Sequence, residues 1–106
     1  MFIAYQVSLE GIRCLRPVVE LIASRDPNLA DQIRRAATAV PLQLQEARRR
    51  RSRDRTCRYR AAGAEAGEVL AGLDAADAWA YAEPAVLAAP RAIYDRLCGL
   101  IYPLYA

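Results

Sequence analysis

Apolar residues recur along this chain at the spacing of helix turns, in four separate windows, and nowhere with the alternation of a strand. In the first window Val7, Ile12, Leu15, Val18, Val19 and Ile22 share one wide face, and Gln6, Glu10, Arg13, Arg16 and Glu20 fall outside it. Arg25-Asp26-Pro27 closes that window, because a residue before proline is pushed out of the α region. Asn28 then reads as the N-cap of a second helix, with Asp31 in its first turn facing the positive end of the dipole. The second window sets Leu29, Ile33, Ala36, Val40, Leu44 and Ala47 on one stripe. Pro41 removes a backbone hydrogen bond inside it, which predicts a kink, and Leu42 points off the stripe. Arg48, Arg49, Arg50 and Arg51 follow, one on every side of a helix, so no face there can stay in a dry core. The turn is expected near Ser52 to Asp54.

In the third window Tyr59, Ala62, Ala66, Val69, Leu73, Ala76 and Ala80 alternate steps of three and four, an a/d seam filled mostly by alanine. Such small residues predict a partner helix lying close. Trp79 and Tyr81 end the segment, and Pro84 suits the first position of a fourth helix. There Val86, Pro90, Ile93, Leu97, Leu100 and Leu104 read as one seam, flanked by Leu87, Tyr94, Ile101 and Tyr105. Pro90 should bend this helix or mark its true start. With 22 alanines and few β-branched runs, a sheet is not expected. A length of 106 residues leaves no room for a second core. The expectation is one all-α domain over residues 1–106, an antiparallel up-down-up-down four-helix bundle.

Composition narrows the chemistry. All 15 basic residues are arginine, and there is neither lysine nor histidine. Ser-His-Asp triads, Cys-His pairs and histidine-bearing metal sites therefore cannot be built, so an ordinary hydrolase, transferase or zinc protein is not expected. No catalytic residue, metal or cofactor is assigned. Cys14, Cys57 and Cys98 form no even or paired set, which fits a reducing cytoplasm, with each thiol a small buried apolar group on a helix. Met1-Phe2-Ile3-Ala4-Tyr5 has no basic start and no long apolar run, and no run approaches a membrane span, so no membrane contact is expected.

Residues 48–60 hold eight arginines and one acid, Asp54, a charge of +7, against seven arginines and eleven acids elsewhere, −4. Positive charge is thus gathered across the turn between the second and third helices. Arg48, Arg49, Arg50, Arg51, Arg53, Arg55, Arg58 and Arg60 would make phosphate contacts, with Tyr59 placed to stack on a base. An acidic protein surface is a second candidate partner, and a solvated turn in an arginine-rich composition a third reading. Arginine at the end of helix two suits its dipole, but at the start of helix three it opposes it. Glu65 and Glu68 share a helix face and Glu46 lies near the end of helix two. A two-metal bundle site needs a Glu-x-x-His spacing this chain lacks, so these acids are expected to pair with Arg34 and Arg35. Apolar surface beyond one seam, in the wide face of helix one, Leu42, Tyr94, Ile101 and Tyr105, points to self-association and supports an adaptor reading beside nucleic-acid binding.

Gln32-Ile33-Arg34-Arg35-Ala36-Ala37 followed by Val40-Pro41 resembles a signature of the four-helix bundle protein family. That family is known from open reading frames in intervening sequences of bacterial 23S rRNA genes. More distantly it includes the accessory variability determinant of diversity-generating retroelements. After the proline the family pattern runs x-Asn-Ile-Ala-Glu-Gly, where this chain has Leu42, Gln43, Leu44, Gln45, Glu46 and Ala47. Ala62, Ala64, Glu65 and Glu68 are similar to its Ala-x-Gly-Ser-x-x-Glu with two substitutions, and Trp79-Ala80-Tyr81 to its Trp-Gly-Tyr. The resemblance implies an antiparallel bundle assembling as a ring, usually a homopentamer, with no enzymatic activity. It also implies a basic surface for nucleic acid and a protein partner such as a reverse transcriptase. Ala47 in place of the glycine implies that helix two continues into the arginine run.

Overall fold

Each of the four windows forms a helix. In the computed structural model, which describes residues 2–106, these are α1 (Ile3–Ala23), α2 (Pro27–Arg48), α3 (Ser52–Ala78) and α4 (Pro84–Tyr105), with no strand among the described residues. At a rise of about 1.5 Å per residue the 27 residues of α3 span about 40 Å. That is nearly the whole 42 Å length of a body only 22 by 20 Å across, so the helices lie along one axis. Helix α1 packs on α2 and α4, α2 on α3, and α3 on α4, and the connections are short. Successive helices therefore run in opposite directions around one core.

The boundaries differ from the sequence expectation at two places. Asp26, not Asn28, caps α2: its Oδ1 accepts a hydrogen bond from the Leu29 N–H at 3.0 Å. Pro27 occupies the first helical position, where its missing N–H costs nothing, so the helix begins on the proline. At the other end α2 stops at Arg48, one residue into the arginine run, and the turn is residues 49–51, not 52–54. Pro41 lies buried within α2, and Pro90 lies inside α4 without marking its start.

The stripe of α2 and the alanine seam of α3 are buried as the spacing requires, except that Leu29 and Tyr59 at their ends are half-buried. Ala62, Ala66, Val69, Leu73 and Ala76 have no accessible surface, although Ala80 lies past the helix end and is exposed. In α4 the seam is rotated by one position. Leu87, Pro90, Tyr94, Leu97 and Ile101 face the core, while Val86 is exposed and Ile93, Leu100 and Leu104 are half-buried. The bulk explains the rotation: Tyr94 needs a deep slot, and Gly11 of α1 supplies it. A Cβ at Gly11 would stand 2.8 Å from two ring carbons and the hydroxyl oxygen of that side chain. The Tyr94 hydroxyl is buried there without a partner, and burial pushes its pKa far up, with a lesser push from Cys14. Gly72 of α3 is as tight, its absent Cβ position 2.6 Å from Ile33 Cγ1.

Helix α3 ends in a Schellman turn. The Tyr81 N–H donates to the Ala76 carbonyl at 2.8 Å, the Ala80 N–H donates to that of Asp77 at 2.9 Å, and Ala80 takes a left-handed φ of 59°. Replacing Ala80 by glycine relieves that backbone and is expected to stabilise the fold by about 1 kcal/mol in urea unfolding. The glycines separate in the same assay. Gly67→Ala, with open space around it, should gain up to about 1 kcal/mol of helix propensity. Gly11→Ala should lose about 1–3 kcal/mol by driving Tyr94 out of its slot.

Candidate nucleic-acid interface

The antiparallel order brings the start of α1, the end of α2, the start of α3 and the end of α4 to one end of the bundle. Phe2, the residue before α1, ties two of them together. Arg48 lies over its ring at 5.2 Å, and Tyr59 meets it edge-on with centroids 6.3 Å apart. On the opposite side Arg60 lies over the Tyr105 ring at 5.5 Å.

Between α2 and α3 the chain turns within three residues. The Arg49 and Arg50 N–H groups donate to the Glu46 and Ala47 carbonyls, tightening the last turn of α2, and Ser52 enters α3 with a left-handed φ of 52°. The Arg50 carbonyl in this turn has no backbone donor among the described residues, and an arginine from the next helix supplies one while also reaching the Ala47 carbonyl. Arg55 Nε donates to the Arg50 carbonyl at 3.0 Å and the Ala47 carbonyl at 3.3 Å. Arg50 bridges the turn from outside, to Glu46 at 2.6 Å and to Asp54 at 3.3 Å. Arg58 donates to Gln43 Oε1 at 3.4 Å.

These contacts divide the eight arginines. Arg50, Arg55 and Arg58 hold the turn by hydrogen bonds, and Arg48 and Arg60 lie on aromatic rings. Arg49, Arg51 and Arg53 are exposed and make no side-chain hydrogen bond, ion pair or ring contact among the described residues. The acids Glu46 and Asp54 beside the turn are both taken by Arg50. The hydrogen bond and field of Arg50 hold the Glu46 carboxyl below the usual range. Tyr59 is half-buried against the core and engaged with Phe2.

The expected pairing of Arg34 and Arg35 with Glu46, Glu65 and Glu68 does not form. Arg35 binds Asp31 at 2.6 Å and Arg34 approaches the same carboxylate at 3.8 Å, both on the outer side of α2. At about 100° per residue Arg35 lies some 200° round from Ile33, which faces α3. Glu46 pairs with Arg50 instead, and Glu68 is in no ion pair among the described residues. Burial and the Glu68 charge raise the pKa of Glu65. Cys14 and Cys98 are half-buried with thiols pushed up by burial, but Cys57 is exposed, two residues from inward-facing Tyr59 and so on the far side of the helix. Among the described residues no group of three or more metal-ligating side chains occurs, and no helix is long and apolar enough to cross a membrane.

The architecture is that of a four-helix bundle with one strongly basic end. It superposes on the crystal structure of a protein with unknown function from the S23 ribosomal protein family, from Bacteroides thetaiotaomicron, with a TM-score of 0.84. The overlap covers 96% of this chain and 97% of that one at 18% identity, a likeness of fold. No protein-family profile matches the sequence, and no curated protein matches it.

The capping role of Arg55 left no signal in the sequence, because its partners lie eight and five residues away across a turn. Arg55→Ala should cost about 1 kcal/mol in urea unfolding by stripping those carbonyls. Arg53→Ala, with no partner to lose, should be neutral in the same measurement.

Proposed function

We propose that this protein is a non-catalytic bundle that binds structured RNA or DNA through its arginine-bearing end. The observation that carries this reading is the trio of Arg49, Arg51 and Arg53, exposed together beside an Arg50 that takes up both Glu46 and Asp54. Arg13, Arg16 and Arg96 are exposed without partners among the described residues as well, and what sets the trio apart is its clustering, three open guanidinium groups within five residues at one tip. Planar guanidinium groups suit phosphate oxygens, and such contacts bring affinity with little sequence choice. The remaining five arginines hold the platform and add to its field.

Self-association is the second part of the proposal. Leu42 is 66% exposed and Tyr102 60%, with Ile3 also exposed, more large apolar surface than a body of this size needs. A ring of copies, a homopentamer by the family resemblance, would cover that surface and multiply the arginine trios on one face. Membership of that family is part of this reading, as is a role beside a reverse transcriptase or ribosomal RNA in the cytoplasm. Read as an adaptor, the protein would use the same exposed residues for a different chain, and light scattering of the purified protein separates the two.

Fluorescence anisotropy with a labelled RNA or DNA duplex across salt concentrations tests the interface. The triple variant Arg49→Ala, Arg51→Ala, Arg53→Ala should lower the slope of log affinity against log salt by about three per bound subunit. Its unfolding curve should match the parent. Binding that is absent at low salt, or unchanged in the triple variant, would reject the proposal.

A further inference from the structure

At the far end of the bundle the Schellman turn of α3 does more than stop a helix. It points Trp79 into solvent, 68% exposed, and returns Tyr81 to the body. The two rings stack with centroids 6.2 Å apart and planes 14° from parallel. Tyr81 is fixed from below, its hydroxyl donating to Asp26 Oδ2 at 3.1 Å while Arg25 lies over its ring at 5.7 Å. Beside it opens a cavity of about 430 Å³, lined by Leu21, Arg25, Asp77, Tyr81, Glu83 and Pro84 among others. Leu21, in the wall of that cavity, is exposed.

The charge here has the opposite sign to the arginine turn. Residues 21–30 and 74–91 contain four acids, Asp26, Asp74, Asp77 and Glu83, and two arginines, Arg25 and Arg91, a local charge of −2. Arg91 is shared between Asp74 at 3.0 Å and Asp77 at 3.2 Å, and Asp26 is bound by Tyr81 and the Leu29 N–H. Glu83 is the N-cap residue of α4, its carbonyl accepting from the Val86 and Leu87 N–H groups, but its carboxylate makes no capping hydrogen bond and no ion pair among the described residues. A free carboxylate, surplus negative charge and an open indole face together favour a cation, since indole is the best ring for a cation–π contact. The same surplus repels a phosphate backbone.

We propose that this end docks a basic segment of a partner protein, an arginine or lysine lying over Trp79 near Glu83 with an apolar neighbour in the cleft beside Leu21 and Pro84. The surface is separate from the arginine trio at the other end, so one bundle can carry a polyanion and a basic chain together.

Trp79 is the only tryptophan, so its emission reports on this site alone. The probe is a short amidated peptide alternating arginine with leucine, compared with its glutamate counterpart and with an RNA duplex. A saturable change in Trp79 emission with the arginine peptide is expected, weakened about threefold by Glu83→Gln. Trp79→Phe, followed by anisotropy of the labelled peptide, should weaken binding again, and circular dichroism should show both variants folded. The triple arginine variant should bind the peptide as well as the parent, which keeps this proposal apart from the nucleic-acid interface. No saturable change, an equal response to the glutamate peptide, or a response only to the duplex overturns it. So does a change driven by protein concentration without peptide, which would make the occupant a second copy.

Discussion

How near the helices can come to α3 governs the rest of this structure. Ala62, Ala66 and Ala76 present only methyl groups to the core, and Gly72 presents nothing at all to Ile33. The body is therefore only 20 to 22 Å across. Helices drawn so close bury their small residues fully and leave little room for large ones. Tyr94 fits because Gly11 opposes it, and its hydroxyl goes without a partner as a result. Other large side chains, Leu42 and Tyr102 among them, are left outside. A thin core and an apolar exterior are two effects of one packing choice.

At the basic end the turn between α2 and α3 is only three residues long, and the Arg50 carbonyl within it finds no backbone donor among the described residues. Arg55 meets that need from the next helix, and Arg50 ties Glu46 to Asp54 around the outside. The repulsion among eight neighbouring cations is thereby divided: some are neutralised, some lie on rings, and three remain free. The resulting surface is set by backbone geometry as much as by the count of arginines.

Periodicity made the helices and most of the core legible, because burial selects residues at fixed angular steps and Ile33, Val40, Leu44, Val69 and Leu73 fall where those steps require. It erred in α4, where two stripes were equally apolar and only the Tyr94–Gly11 fit chooses between them. It also misplaced the cap of α2, since Asp26 and Asn28 are both good caps and Pro27 decides. The total charge of the arginine segment could be counted, but its division could not. The partners of Arg55, Arg58 and Arg60 lie across a turn or on another helix, and no local spacing encodes them. Arg34 and Arg35 failed to reach the carboxylates of α3 for the related reason that the core stripe of α2 turns them outward. The Trp79 platform depends on a left-handed alanine, a conformation no propensity assigns to that residue.

A rod 42 Å long with arginines at one tip and surplus carboxylates at the other is an electric dipole aligned with its long axis. In the field of a polyanion such a rod feels a torque before it feels a contact, and it turns its basic tip forward while still separated by solvent. The screening length at physiological salt is about 8 Å, much shorter than the rod, so the leading tip senses the field while the trailing one is shielded. Orientation is thereby chosen during approach, and fewer encounters are wasted on wrong poses.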